Sequence, residues 1–211
     1  MDRDHGSHVR VPEQRAPQQR SAGNVDLRFS VLGPVRAWRD GEALPSGSPQ
    51  QRALLAALLL RGGRTATAAE LIDAIWGDEP PSQALATIRT YASRLRKVLG
   101  QQTLVSDAGG YAIRAGHDTL DVTVAQELAA DADKARASGD RCQARTLLNE
   151  ALGLWDGEAL ASVPGPYAEN QRTRLEEWRL QLTEARLDLD LELGCHEEAC
   201  LLYTSPSPRD S

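Results

Sequence analysis

One helix-length stretch of the sequence, Ser82 to Leu99, carries four cations and no acid. The whole chain has a formal net charge of -6, so this stretch differs from its surroundings. Guanidinium and ammonium groups bind phosphates, and arginine, lysine and threonine side chains can hydrogen-bond to base edges in a major groove. These residue types therefore favour contact with nucleic acid, with an ordinary solvated helix face as the alternative.

A helical projection of the stretch separates an apolar side from a polar side. The apolar side, spaced by three and four residues as on a packed helix, consists of Leu85, Ile88, Ala92, Leu95 and Leu99. The polar side consists of Gln83, Thr87, Thr90, Arg94 and Lys97. A merely solvated face usually mixes in acids that form ion pairs along the helix, and none is present here.

The projection assigns separate roles to the residues of this polar surface. We predict that base edges are contacted by Thr87, Thr90 and Arg94. We predict that phosphates are contacted by Arg89, Arg96 and Lys97. The alternating residues of 104–106 and 111–114 predict a β-hairpin directly after the helix, with its turn at residues 107–110. Arg114, at the end of this wing, is expected to contact the DNA backbone.

The elements before the basic helix must hold it in place. Leu27, Phe29 and Val31 alternate with polar residues, which predicts a half-buried strand. A second strand, residues 35–39, leads into Asp40-Gly41, a dipeptide typical of tight hairpin turns. The unit therefore begins with a small antiparallel sheet.

Two capping boxes predict the helices that follow this sheet. Ser48 with Gln51 opens the first helix, and Thr67 with Glu70 opens the second. The first is expected to end at Gly62-Gly63 and the second at Gly77. The rigid turn Asp78-Glu79-Pro80-Pro81 comes next, and Ser82 is expected to cap the basic helix.

Four segments carry a resemblance to a known family. They are "FSVLGPVRAWRDG", "QQRALLAALLLR", "ELIDAIWGDEPP" and "ATIRTYASRLRKVL". The order of elements, a sheet, three helices and a wing, resembles an OmpR/PhoB-type winged helix-turn-helix. The four segments are similar to those of AfsR-type members of the SARP family, the Streptomyces antibiotic regulatory proteins. The resemblance implies a transcriptional activator of secondary metabolism, including antibiotic biosynthesis. It implies binding to direct repeats of double-stranded DNA near promoters, possible self-association on DNA, and contact with RNA polymerase and its sigma factor through the loop Asp78, Glu79, Pro80 and Pro81. A cytoplasmic location is expected separately, because three cysteines at unpatterned spacing are typical of reduced thiols.

The remaining sequence has the pattern of helices throughout. We predict helices at 122–138, 142–154 and 166–193, the last ending at Gly194. The third helix has two apolar stripes. The first consists of Leu175, Trp178, Leu182, Ala185 and Leu189, and the second of Leu180, Leu187 and Leu191. We therefore expect other elements to cover this helix on two sides. Stacked helical hairpins are typical of TPR-like arrays, and the segment resembles a truncated bacterial transcriptional activation domain. The expected fold class is thus α+β followed by all-α.

Charge also divides the chain into units. Residues 49–116 carry eight cations and five acids, whereas residues 117–211 carry nine cations and nineteen acids. We therefore expect a winged helix at 25–116 that binds nucleic acid and a helical domain at 120–200 that binds protein. The polar segment 1–24 is expected to be disordered, and 201–211, with two Ser-Pro steps, to be a non-native tail that does not pack.

Other classes of function find little support in the sequence. No G-x-x-x-x-G-K-[ST] motif and no apolar run near the roughly 20 residues of a membrane span are present. His196 and Cys200 could touch a metal, but two ligands do not make a site. We expect no enzyme, no cofactor, no metal and no membrane. The alternative function is a helical-repeat interaction scaffold whose winged helix contacts protein rather than DNA.

Overall fold

The computed structural model describes residues 26–203, with the side chains of His117 and of residues 195–203 left out. The segments 1–25 and 204–211 lie outside the described residues, so the expectation of a disordered start at 1–24 stays a prediction. The described part begins with an antiparallel sheet in the order β1 (Leu27–Ser30), β2 (Arg36–Arg39) and β3 (Glu42–Ala43). Asp40 and Gly41 both have positive φ, 52° and 86°, which confirms the predicted hairpin turn.

Helices α1 (Pro49–Leu59) and α2 (Ala68–Trp76) begin where the sequence places them. Ser48 and Thr67 each accept from the backbone N–H three residues on, and the side chains of Gln51 and Glu70 each accept from the N–H of the cap residue in return. Both predicted capping boxes are thus confirmed. Such a cap contributes about 1 kcal/mol because it satisfies N–H groups that lack partners within the helix.

Helix α3 (Ala84–Leu99) contains the basic stretch, but it begins later than predicted. The capping residue is Gln83, which makes no side-chain cap bond, so the assignment of the cap to Ser82 is wrong. The placement of Leu85 in the core is also wrong, because Leu85 is 44% exposed. Ala84, four residues before Ile88, is buried in its place, while Leu85 lies farther from Ile88 around the helix, at the margin of the packed face.

The wing is a three-stranded sheet in the order β4–β6–β5. Strands β5 (Leu104–Asp107) and β6 (Gly110–Ile113) form the predicted hairpin, and β4 (Ala66–Thr67), which the sequence pattern did not predict, pairs with β6. A Cβ atom on Gly110 would lie 2.2 Å from the carbonyl oxygen of Ala66, so only glycine allows this strand pairing.

The second half is helical, as predicted. A short 3-10 turn (His117–Thr119) leads to α4 (Asp121–Ala137), α5 (Arg141–Leu152) and α6 (Pro166–Tyr203). The prediction that the third helix ends at Gly194 is wrong, since α6 continues to Tyr203 and includes the first residues of the segment expected to be a tail. A single glycine costs a helix only about 1 kcal/mol and does not end it alone. None of the described helices is long and apolar enough to cross a bilayer.

The two apolar stripes of α6 have different surroundings. Leu175, Leu182 and Leu189 are buried in the hydrophobic core, at 8%, 7% and 1% exposure, on a helix that contacts α5, α2 and α1. The second stripe lies in solvent, with Leu180, Leu187 and Leu191 at 64%, 47% and 72% exposure. The expectation that α6 is covered on two sides is therefore wrong for the described residues.

The winged-helix and helical units share one continuous hydrophobic core. The backbone N–H groups of Asp156 and Leu160 donate to the carbonyl oxygens of Leu32 and Val31 at 2.8 and 2.9 Å. A Cβ atom on Gly33 would lie 2.6 Å from the carbonyl oxygen of Asp156, so the backbones meet closely at this point. The units are thus packed directly on one another.

The Asp121 carboxylate lies at the centre of this junction. It accepts hydrogen bonds at 2.9 Å from the backbone N–H groups of Val31 and Leu32, ninety and eighty-nine residues earlier in the chain. Burial raises the pKa of Asp121 above its ordinary value of 3.8, while the bonds from Leu32, Val31 and Val122 oppose the rise. This side chain satisfies two backbone donors just after β1.

Candidate nucleic-acid interface

Helix α3 presents its polar side to solvent, as the candidate interface requires. Its buried residues, Ala84, Ile88, Ala92, Leu95 and Leu99, anchor the opposite side in the core. Thr90, Arg94 and Lys97 are exposed, Arg89 is exposed on the flank, and Thr87 is half-buried. No acid lies anywhere along this helix, so the surface is purely cationic and neutral-polar.

Three of the predicted cations are unpaired within the described part of the protein. Arg89, Arg94 and Lys97 make no hydrogen bond or ion pair with any residue that the structure describes. Two arginines of the helical unit contrast with them: Arg136 and Arg141 both pair with Glu192, at 2.8 and 2.6 Å. When unpaired cations of a protein bind DNA phosphates, counterions are released from the DNA. This release favours binding to nucleic acid.

The two threonines have their hydroxyl protons engaged along the helix. Thr87 Oγ1 donates to the carbonyl of Gln83, and Thr90 Oγ1 donates to the carbonyl of Ala86, both at 3.0 Å. What remains for a ligand is a hydroxyl oxygen that can accept and a methyl group. Those groups suit the amino group of adenine or cytosine and the methyl group of thymine.

Arg96 is engaged within the protein, unlike the other three cations. Its Nε donates to the carbonyl of Leu104 at 3.0 Å, and one terminal nitrogen donates to Ser106 Oγ at 2.6 Å. Both partners belong to β5, so Arg96 ties the wing to α3. No local sequence pattern signals this bond, because it joins two elements, and a phosphate contact by Arg96 stays a prediction.

Arg114 lies at the base of the wing. One of its terminal nitrogens donates to the carbonyl of Gly63 at 3.1 Å, and the other lies 3.9 Å from a carboxylate oxygen of Asp107. The side chain is 56% exposed. The turn of the wing itself passes through Ala108 and Gly109, which have positive φ values of 45° and 77°.

The loop Asp78, Glu79, Pro80 and Pro81 is exposed throughout and lies between α2 and α3. The side chain of neither acid makes an ion pair or hydrogen bond with another described residue. Gly77, just before the loop, packs against Pro166 at the start of α6, with 3.2 Å from its ideal Cβ position to Pro166 Cγ. The loop therefore faces solvent beside the helical unit.

Sequence reasoning missed one exposed polar residue of this surface, Ser93. The spacing of the sequence could have identified it, because Ser93 lies four residues after Arg89 and four before Lys97, on the same side of a helix. A metal site finds no support in the described part of the chain, where no three His, Cys, Asp or Glu side chains lie together. The side chains of His196 and Cys200 lie outside that part.

A helix with an exposed basic face, followed by a wing and packed on a helical unit, defines a class of winged-helix transcriptional regulators. Two family matches agree: residues 42–125 match "Transcriptional regulatory protein, C terminal", and residues 120–205 match "Bacterial transcriptional activator domain". The chain belongs to the SARP family and corresponds to the N-terminal part of an AfsR-type regulator.

Named relatives support this assignment. The chain is 77% identical over 199 residues to the regulatory protein AfsR of Streptomyces griseus, covering 94% of this chain and 20% of that protein. It therefore spans about a fifth of the length of that relative. It is 31% identical over 182 residues to the regulatory protein DnrI of Streptomyces peucetius, covering 81% of this chain and 67% of that one.

A solved structure supports the fold. Mycobacterium tuberculosis EmbR, solved in complex with a low-affinity phosphopeptide, superposes with a TM-score of 0.77 at 32% identity. The match covers 81% of this chain and 47% of the EmbR chain. The predicted fold class, an OmpR-type winged helix followed by a bacterial transcriptional activator domain, is confirmed.

Proposed function

We propose that this chain is the DNA-binding part of a transcriptional activator, which inserts α3 into the major groove of promoter DNA. The observation that carries the proposal is the exposed polar face of α3, where Arg89, Arg94 and Lys97 have no partner among the described residues. Membership of a family of transcriptional regulators supports it. In this proposal the protein regulates transcription and does not catalyse a reaction. It acts in the cytoplasm, because its target is DNA.

The residues of the interface have distinct roles in this proposal. Arg94, near the middle of the polar face, can donate two parallel bonds to the O6 and N7 atoms of guanine. Thr87 and Thr90 contact neighbouring base edges, while Arg89 and Lys97 bind phosphates on either side. Arg96 holds the wing in place and Arg114 adds a backbone contact. Direct contacts to bases set sequence preference, and phosphate contacts set overall affinity.

The proposed operator is a pair of direct repeats spaced by about one helical turn. The described part of one chain holds a single basic recognition helix, so two copies are needed for two half-sites. Copies that bind head-to-tail read repeats in the same direction, whereas copies related by a two-fold axis read palindromes. The family resemblance favours the head-to-tail arrangement and self-association on DNA.

The proposed protein partner is RNA polymerase with its sigma factor. The exposed loop Asp78, Glu79, Pro80 and Pro81 offers two carboxylates on a backbone that two prolines stiffen. Acidic groups of this kind suit a basic protein surface. The strongly acidic helical unit supports the same arrangement, since it is repelled by DNA and remains available to protein. By its family, the activator would regulate secondary metabolism such as antibiotic biosynthesis.

Fluorescence anisotropy with duplex promoter DNA, measured across a salt series, tests this proposal. Arg94→Ala should weaken binding to the preferred sequence by about 1–3 kcal/mol and relax base preference. Lys97→Ala should weaken all sequences alike and reduce the slope of log affinity against log salt by about one. Arg28→Ala is a matched control, because Arg28 is also exposed but lies outside the interface and pairs with Asp26.

The double variant Arg94→Ala/Lys97→Ala gives the decisive measurement. If it binds DNA with wild-type affinity and salt slope, α3 is not the helix that reads DNA. That result would favour the alternative function, a helical-repeat scaffold whose winged helix contacts protein.

A further inference from the structure

A cleft of about 860 Å³ opens where the winged-helix and helical units meet. One wall is the end of α1 and the loop after it, and the other walls are α4 and the first turns of α6. Small-molecule sites usually have volumes of about 300–1,000 Å³ and often lie between domains. The cleft is distinct from the polar face of α3, none of whose residues line it.

Three arginines line this cleft: Arg61, Arg64 and Arg174. The guanidinium groups of Arg64 and Arg174 lack a carboxylate partner among the described residues. Arg64 Nε donates to the carbonyl of Arg61 at 3.1 Å, which holds its side chain at the loop. Unpaired guanidinium groups are the side chains best suited to grip phosphate through parallel hydrogen bonds.

Arg61 is the most enclosed of the three. One of its terminal nitrogens pairs with Glu70 at 3.1 Å, while its Nε is buried without a hydrogen-bond partner among the described residues. A buried donor without an acceptor is costly, so such a group commonly marks a place where a ligand or water completes the bonding.

The hydroxyl of Tyr167 lies in the field of all three arginines. Burial raises the pKa of Tyr167 above 10.0, and the charges of Arg61, Arg174 and Arg64 act in the opposite direction. The phenol is therefore protonated near neutral pH and can donate a hydrogen bond. The three arginines and this donor all line the same cleft.

The composition of the walls indicates the class of ligand. Gln126, Gln171 and Thr123 add neutral polar groups, Trp178 adds an aromatic surface, and Asp133 is the carboxylate among the lining residues. The arginines favour an anion with several acceptor oxygens, and the volume leaves room for an organic body beside it. Duplex DNA fits less well, because two walls belong to the strongly acidic helical unit.

We propose that this cleft binds a small phosphorylated metabolite of about nucleotide size, with Arg64 and Arg174 on its phosphate oxygens and Arg61 and Tyr167 completing the site. Because the walls come from both units, the bound ligand stiffens the junction between the winged helix and the helical unit. A molecule that binds only the folded protein also raises its stability by mass action. Binding in this cleft does not depend on contact between α3 and DNA.

Isothermal titration calorimetry of the full chain with inorganic pyrophosphate, and with ADP, tests the proposal. Both should bind saturably, and ADP more tightly if the cleft also holds the organic body. Arg64→Gln and Arg174→Gln should each weaken pyrophosphate binding about tenfold or more, since each removes charge-assisted hydrogen bonds. Asp133→Asn should tighten binding severalfold by removing a repelling charge. Arg28→Gln, which changes the same charge on a distant exposed surface, should leave affinity unchanged.

Each outcome of these titrations supports or overturns the site. Absence of saturable binding by either probe at millimolar concentration overturns the proposal. So does binding that Arg64→Gln, Arg174→Gln and Asp133→Asn all leave unchanged. If the arginine variants weaken binding to duplex DNA but not to pyrophosphate, the cluster is part of the DNA interface instead. Should the arginine variants fail to fold, Asp133→Asn decides alone, with unchanged affinity counting against the site.

Discussion

Asp121 connects the start of α4 to the residues just after β1, and its replacement tests how firmly the two units are joined. In Asp121→Ala, the buried backbone N–H groups of Val31 and Leu32 lose their acceptor. Each buried donor left unsatisfied costs about 1–3 kcal/mol, so the free energy of unfolding should fall by about 2–6 kcal/mol. Asp121→Asn keeps one acceptor oxygen and should cost about half as much.

Urea denaturation followed by tryptophan fluorescence measures this effect. Trp155 and Trp178 are suitable probes, because their rings pack with centroids 5.3 Å apart in the helical unit. Asp118→Ala is the matched control: Asp118 is an exposed acid three residues earlier, and its replacement should change stability by no more than about 0.5 kcal/mol. A loss below about 0.5 kcal/mol in Asp121→Ala would refute the reasoning.

The pH dependence of the same variants gives a second readout. Because burial raises the pKa of Asp121 above 3.8, the folded protein holds this proton more tightly than the unfolded chain. The contribution of this proton to stability is thus fully present below pH 3.8 and is lost as the pH rises through the folded pKa. The Asp121→Asn variant lacks the titrating carboxyl group. The difference in free energy of unfolding between this variant and wild type should therefore change between pH 3.8 and the folded pKa of Asp121, and should be constant at much higher pH. A constant difference throughout would contradict the assignment.

Three further changes test the wing and the loop. Arg96→Ala should lower the free energy of unfolding by about 1–3 kcal/mol, because it removes two hydrogen bonds to β5 of the wing. If the thermal denaturation is unchanged and DNA binding is weaker, Arg96 contacts phosphate directly instead. Gly110→Ala should destabilise the wing by about 1–3 kcal/mol, since its Cβ would lie 2.2 Å from the Ala66 carbonyl oxygen, and unperturbed NMR spectra of the wing would contradict this. The Asp78→Ala/Glu79→Ala variant should bind DNA normally but lower transcription in a purified polymerase assay, and full transcription would remove the loop from the interface.

The local features of this protein could be predicted from the sequence because short-range interactions determine them. The capping boxes at Ser48 and Thr67 and the turn at Asp40-Gly41 depend on residues within three or four positions of each other. The same holds for the buried and exposed sides of α3 from Ile88 onward, which follow from helical periodicity. The cationic face of α3 could therefore be predicted from the residues of that helix alone.

Other features depended on contacts between distant parts of the chain. The pairing of Arg96 with β5, the third wing strand and the bonds of Asp121 to the residues after β1 join elements that no local pattern connects. Periodicity marked both leucine stripes of α6 as apolar, but only packing decided that Leu189 is buried and Leu191 is exposed. The arginine cleft likewise exists because Arg61 and Arg174, over a hundred residues apart, are brought together where the two units dock. Sequence patterns report what a residue can do locally, whereas its partners are decided by the tertiary fold.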